Sequence, residues 1–188
     1  DIMKYKRDDS SQKLYIDEVF QLIPSELNAK NKRFILKSLN EKARFASYEN
    51  SFLWLRDAGV ALPTYNVEEP KLPLLLAKTR NLFKLFQSDV GLLTSQFADG
   101  IQLKLLGDNQ AINYGAIYEN VVAQELKAHG FDLYYYNSKR LGELDFVVEY
   151  HGNVLPIEVK SGKDYERHNA LSNVMSSAEY VLPEAFAL

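Results

Sequence analysis

The chain contains no cysteine, and its 188 residues include only three histidines. The absence of cysteine excludes disulfide frameworks, thiolate metal sites and cysteine nucleophiles. Three histidines without close spacing do not predict a histidine-rich metal site. No run of about 18 apolar residues occurs, so the sequence predicts no transmembrane helix. A chain without cysteine suits a reducing compartment, and we expect a cytoplasmic protein with no membrane partner.

The chain also lacks an excess of positive charge. Its formal net charge is −3, which argues against a protein that binds nucleic acid over its whole surface. The charge is uneven, because residues 1–100 carry 15 basic and 13 acidic side chains, whereas residues 101–188 carry 7 and 12. A basic surface is therefore expected only on the first half of the chain.

The first half has the order of elements of a winged helix. Apolar spacing predicts three helices, with a break at Ile23-Pro24-Ser25, and the segments that follow them predict a β-hairpin. The predicted elements are helices at residues 10–22, 28–40 and 47–58 and strands at residues 60–67 and 82–87. Because a winged helix consists of three helices and a two-stranded wing, we assign residues 1–107 to a winged-helix-like domain.

The second predicted helix carries a basic outer face, which is the candidate nucleic-acid-binding surface of the chain. Its cations are Lys30, Lys32, Arg33 and Lys37. The third predicted helix, which a winged helix usually places in the DNA major groove, offers only Arg56 against Glu49 and Asp57. DNA binding and a protein-contact role therefore both stay open for this domain.

The residues with recognisable chemistry lie in two alternating strands of the second half, at residues 144–150 and 154–160. A two-residue turn at Gly152-Asn153 would join them and place their apolar side chains on one face. Asp145, Glu158 and Lys160 then lie together on the other face, with Asp145 opposite Lys160. Two carboxylates form a hard oxygen site for Mg²⁺ or Mn²⁺, and a lysine beside them can position a water molecule. A solvated face with cross-strand ion pairs is the structural alternative.

These residues resemble the PD-(D/E)XK nuclease superfamily. The resemblance rests on Glu119 in a helix, on Gly-Glu-Leu-Asp-Phe-Val-Val at residues 142–148, and on Pro-Ile-Glu-Val-Lys-Ser-Gly-Lys at residues 156–163. Further back, residues 23–27, 48–59 and 89–93 resemble the C-terminal region of prokaryotic AAA-type ATPases. Those proteins combine an ATPase domain, a winged-helix unit and a nuclease-like domain of unknown function.

The resemblance implies an α/β class, α+β overall, with a restriction-endonuclease-like mixed sheet and flanking helices at residues 108–188. It also implies that Asp145, Glu158 and Glu119 are metal ligands and that Lys160 is the catalytic lysine. The expected function is Mg²⁺- or Mn²⁺-dependent hydrolysis of DNA or RNA. ATP would bind only to an ATPase domain outside this chain, since no phosphate-loop motif occurs here. The apolar end at residues 185–188 suggests a truncated nuclease-like domain.

Other functions stay open beside this one. The nuclease-like domain could serve as a non-cleaving interaction platform, or the first half could act as a DNA-binding regulator. A nucleophile–base pair of Ser161 and His168 is a weak alternative, because the spacing gives no geometry. Tyr134, Tyr135 and Tyr136 could stack on bases, although packing of a strand against a helix explains them more simply.

Overall fold

A computed structural model describes residues 10–29, 32–39, 44–107, 114–160 and 168–188. The helices are α1 Ser10–Asn28, α2 Phe45–Asp57, α3 Val90–Ser95, α4 Ile101–Leu106, α5 Gly115–Ala128 and α6 Asn169–Met175. The strands are β1 Ala61–Val67, β2 Lys78–Gln87, β3 Tyr134–Ser138, β4 Gly142–Tyr150, β5 Asn153–Glu158 and β6 Phe186–Ala187. Short 3-10 helices cover Leu36–Ser38 and Leu74–Ala77. The predicted mixed α/β class is confirmed.

All six described strands form one mixed sheet in the order β2-β1-β3-β4-β5-β6. Strand β1 pairs with β2 antiparallel and with β3 parallel, so the hairpin of the first half continues into the strands of the second half. The predicted division after residue 107 lies between α4 and α5, and the sheet crosses it. The hairpin is thus part of the common sheet, and the prediction of a separate wing is corrected.

The second helix predicted for the winged helix, at residues 28–40, is also wrong. Residues 32–35 are not helical, and the backbone N–H of Phe34 donates to the carbonyl of Phe83 on β2 at 2.9 Å. The Phe34 ring packs against the rings of Phe52 and Phe83. Burial of this ring on the sheet and its backbone bond to β2 therefore outweigh the helical pattern of the segment.

Helix α1 continues through the predicted break at Pro24. Ile23 and Leu27 lie on either side of this proline and are almost fully buried. Burying one such side chain contributes about 1.5–3 kcal/mol, so the two together contribute roughly 3–6 kcal/mol, which is enough to offset the roughly 3 kcal/mol that an interior proline costs. Tertiary packing therefore explains why the helix does not end here.

The β4–β5 hairpin turns at His151-Gly152, one residue earlier than predicted. Both residues have positive φ, 47° and 77°, which is the requirement of a two-residue turn that matches strand twist. Tyr150 pairs with Asn153 and Phe146 with Ile157, so Asp145 lies opposite Glu158 rather than Lys160. The corrected register moves the pairing by two positions and keeps the two carboxylates adjacent.

A register shift in the β3–β4 pairing sets the direction of the Asp145 side chain. Tyr134 pairs with Val147 and Tyr136 with Leu144, so Tyr135 lies opposite two residues, Asp145 and Phe146. Such a bulge changes the direction of a side chain and interrupts strict alternation. Leu144 and Phe146 accordingly pack in different hydrophobic clusters, contrary to the single apolar face predicted for this strand.

Two hydrophobic clusters cover the sheet. One gathers side chains of α1, α2 and α5 with those of β2, β4 and β5, and includes Val19, Leu55, Phe86 and Phe146. The other packs Leu171 and Val174 of α6 against β3 and β4. The sheet is therefore held between helices, and α5 is positioned to bring Glu119 to the strands. No helix in the described ranges is both long and apolar enough to span a lipid bilayer.

Candidate functional site

A buried lysine on β2, Lys84, lies among three carboxylates. Its side chain is 0% exposed. Its Nζ is 2.8 Å from Glu143 Oε1, 3.7 Å from Asp145 Oδ1 and 3.8 Å from Glu119 Oε2. We name the surrounding group the acid–lysine cluster, and its members are Lys32, Lys84, Glu119, Glu143, Asp145, Glu158 and Lys160.

Lys84 stays charged despite its burial. Burial alone would lower the pKa of Lys84, but Glu119, Glu143 and Asp145 outweigh it and raise the pKa above the ordinary value of 10.5. The ring centroid of Tyr135 lies 5.1 Å from Nζ and adds a cation–π contact. The ammonium group therefore links strands β2, β3 and β4 and helix α5 at one point.

Glu119 reaches the cluster from α5 and is 2% exposed. Its Oε1 accepts from Lys32 Nζ, and its Oε2 faces Lys84. Burial and the nearby Asp145 raise the pKa of Glu119 to about 7, although Lys84 and Lys32 oppose this rise. Glu119 is therefore a carboxyl group that can hold or release a proton near neutral pH.

Asp145 and Glu158 meet at the open end of the β4–β5 hairpin. Asp145 Oδ2 accepts from the backbone N–H of Val159 at 2.9 Å, and Lys160 Nζ donates to Glu158 Oε1 at 2.6 Å. Burial, followed by the charge of Asp145, raises the pKa of Glu158. The two carboxylates thus repel each other across the hairpin, which favours a cation beside them.

The edge strand β6 fixes the backbone that carries Glu158 and Lys160. Leu188 N–H donates to the Glu158 carbonyl at 2.9 Å, and Lys160 N–H donates to the Leu188 carbonyl at 2.8 Å. Phe186–Ala187, within the apolar residues 185–188, forms this strand. This strand therefore holds the end of the acid-x-lysine segment in place.

The predicted three-carboxylate metal set is not preassembled. Within the part of the chain that the structure describes, no group of three or more histidines and carboxylates is arranged to hold a metal ion. Glu119, the predicted third ligand, is directed at two lysines. Glu158 Oε2 is buried without a hydrogen-bond donor, and a buried carboxylate oxygen of this kind is an open position for a cation. The residues therefore fit a site built on Asp145 and Glu158.

The structure brings Asp145, Glu158, Lys160 and Glu119 together, as the motif predicts. Sequence reasoning missed Lys84 and left Glu143 without a role. The signal for Lys84 was a single lysine inside the apolar stretch Leu-Phe-Lys-Leu-Phe at residues 82–86. A charged residue in a buried strand requires a partner of opposite charge, so that stretch already indicated an internal ion pair.

The predicted basic surface is not assembled on one helix. Lys30 lies outside the described residues, and Lys32 is bound to Glu119. Arg33 lies beside Tyr135 and lowers the pKa that burial of this tyrosine raises. Lys37 is exposed in the 3-10 helix Leu36–Ser38. Of the three described cations, two are therefore directed toward the interior rather than along a common outer face.

The remaining candidates differ in outcome. Ser161 lies outside the described residues, so its predicted pairing with His168 is not described. Tyr134, Tyr135 and Tyr136 are at most 6% exposed. Their rings pack within the sheet and beneath the helices, so the packing interpretation of this run is correct and base stacking is not available to it.

The carboxyl of Glu119 is expected to titrate with a midpoint near pH 7. NMR of the chain labelled with ¹³C at glutamate carboxyl groups measures this midpoint. Lys32→Met removes a favourable charge and should move the midpoint upward, whereas Asp145→Asn removes a repulsive charge and should move it downward. A parent midpoint near the ordinary 4.5, unaffected by both substitutions, would contradict the described environment.

The raised pKa of Glu119 also determines how the stability of the folded chain depends on pH. The folded-state pKa of Glu119 lies above its ordinary value of 4.5, so the folded chain binds the proton more tightly than the unfolded chain. The stabilising contribution is therefore complete below about pH 4.5 and is lost as the pH rises to about 7.

The fold and site define a mixed α/β chain with a buried cluster of carboxylates and lysines at the end of a hairpin. The chain belongs to the family described as a domain of unknown function, DUF8612, which matches residues 1–103. A second domain of unknown function, DUF4143, matches residues 114–185 and is often found with AAA ATPases. Comparison with curated proteins and with solved structures gave no match.

Proposed function

We propose that this chain is the C-terminal part of an AAA-type ATP-binding protein of the cytoplasm. We further propose that its acid–lysine cluster is a site of Mg²⁺- or Mn²⁺-dependent phosphodiester hydrolysis. The observation that carries the proposal is the meeting of Asp145, Glu158 and Lys160 beside Glu119. The match to a domain often found with AAA ATPases supports the proposed parent protein. Its own ATPase domain, which would bind ATP, is the expected intramolecular partner.

Four residues of the cluster have a stated task in this proposal. Asp145 and Glu158 would hold the divalent cation, which would supply Lewis-acid polarisation of a phosphoryl oxygen. Lys160 would move away from Glu158 Oε1. Its ammonium group would then orient the attacking water and offset the charge that develops on the phosphate. Glu119, with its pKa of about 7, can take a proton from the site at neutral pH.

Lys84 favours a second candidate function, a non-cleaving nuclease-like platform for a partner. Its ammonium group already contacts Glu119 and Asp145, two carboxylates that a divalent metal ion would need as ligands. A structural ion-pair network of this kind stabilises the sheet without any reaction. The DNA-binding regulator is not carried further, because the second helix of the winged helix is absent from the described residues and its hairpin lies within the sheet.

Cleavage assays separate the two candidates. Single- and double-stranded DNA and RNA are incubated with the 188-residue chain and Mg²⁺ or Mn²⁺, and parallel reactions contain EDTA. The hydrolysis proposal is supported if EDTA abolishes the cleavage and if the cleavage depends on Asp145 and Glu158. Absence of cleavage on all four substrates, with both metals, would favour the platform.

A further inference from the structure

A cavity of about 670 Å³ lies apart from the acid–lysine cluster and shares none of its residues. It is bordered by β1 and by the C-terminal ends of α2 and α5. Ala61, Leu62, Pro63 and Leu133 give it an apolar wall. Cavities of about 300–1,000 Å³ that combine apolar walls with a few polar groups are the usual form of small-molecule sites. We name it the basic cavity for the side chains described next.

Three cations and one carboxylate line the basic cavity, namely Arg56, Lys78, Lys127 and Asp132. Arg56 lies in the last turn of α2 and pairs with Asp57 at 2.7 Å. Lys127 lies in the last turn of α5 and is 3.5 Å from Asp132. These two cations complement the negative ends of their helices, so neither requires a ligand to balance it.

Lys78, at the start of β2, differs from the other two cations. Its Nζ lies 3.5 Å from the ring centroid of Tyr65, and no described carboxylate approaches it within 4.0 Å. Burial, followed by the charges of Arg56 and Arg80, lowers the pKa of Lys78 below its ordinary 10.5. An anion bound beside Lys78 would relieve this repulsion.

We propose that the basic cavity binds a phosphate monoester attached to an aromatic ring, the class that includes nucleoside monophosphates. Because Arg56 and Lys127 are paired with Asp57 and Asp132, the cavity keeps one unbalanced positive charge, which attracts a phosphate monoester with its charge of about −2 at neutral pH. Lys78 is the cation available for the phosphate, and the apolar wall of β1 is the surface for the ring. This site is independent of the acid–lysine cluster and of the hydrolysis proposed there.

Calorimetric titration with AMP, adenosine and inorganic phosphate tests the proposal on the 188-residue chain. AMP should bind at least tenfold more tightly than adenosine or inorganic phosphate, and its affinity should fall with added salt. Lys78→Met should weaken AMP binding at least tenfold. Lys71→Met is the matched control, because Lys71 also faces a tyrosine ring but lies outside the cavity.

Circular dichroism verifies that each variant is folded. Arg56→Gln, at a half-exposed side chain, provides a second test of the cavity should Lys78→Met not fold, and it too should weaken AMP binding. The proposal is overturned if the parent chain does not bind AMP, or if adenosine or phosphate binds as tightly as AMP. AMP binding that neither substitution changes would overturn it as well.

Discussion

Lys84→Met is expected to lower the free energy of unfolding by about 3–5 kcal/mol. The substitution keeps an unbranched side chain that is one atom shorter, but it removes the charge that holds Glu119, Glu143 and Asp145 together. Three carboxylates would then lie close together with their central cation missing, in a region from which water is largely excluded. Urea unfolding at neutral pH, followed by circular dichroism, measures the change.

Two further variants identify the cause of this loss. Lys71→Met removes a half-exposed lysine that pairs with Glu69 and faces the ring of Tyr180, so it should change stability by no more than about 0.5 kcal/mol. Adding Glu143→Gln to Lys84→Met removes one of the uncompensated charges and should restore part of the stability. A loss below about 1 kcal/mol for Lys84→Met would show that the buried ammonium group does not organise the site.

Asp145→Asn and Glu158→Gln are each expected to reduce metal-dependent cleavage by about 100-fold or more. Each change removes a negative charge from the pair that would hold the divalent cation, and the cation contributes several kcal/mol to transition-state stabilisation. Initial rates of cleavage with Mg²⁺ or Mn²⁺ provide the measurement. Both substitutions keep the size of the side chain, so the loss reports charge rather than volume.

Glu125→Gln is the control for these rates. Glu125 is an exposed acid on α5, the helix that carries Glu119, and its substitution should leave the rate unchanged. Lys160→Met should also slow cleavage, because no other described ammonium group contacts Glu158 within 4.0 Å. Cleavage that survives both Asp145→Asn and Glu158→Gln would show that the activity belongs to another site or to a contaminant.

The nuclease-like motif predicted four residues of the cluster, namely Asp145, Glu158, Lys160 and Glu119. Asp145, Glu158 and Lys160 lie on one hairpin, so local alternation is enough to place them near each other. Lys84 could not be placed in the same way, because its contacts depend on the order of strands in the sheet. That order pairs β1 with both β2 and β3, and no local pattern in the sequence specifies it.

The local sequence pattern also could not predict which residues pair across the β4–β5 hairpin. Turns at Gly152-Asn153 and at His151-Gly152 both keep the apolar side chains in phase, so parity alone cannot select between them. The structure selects the second with His151 in the left-handed region, which a histidine adopts less often than glycine. The helix predicted at residues 28–40 was wrong for a related reason. The apolar spacing of this segment is helical, but it does not reveal that the backbone N–H of Phe34 bonds to the edge strand β2.

Binding of Mn²⁺ to the 188-residue chain, followed by isothermal titration calorimetry, tests most directly whether Asp145 and Glu158 form a cation site. We expect saturable binding to the parent and to Glu125→Gln, and none to Glu158→Gln. Affinity should increase with pH, because burial and Asp145 raise the pKa of Glu158 and the cation binds its ionised form. A parent chain that does not bind Mn²⁺, or a Glu158→Gln variant that binds it as tightly as the parent, would contradict the proposed site.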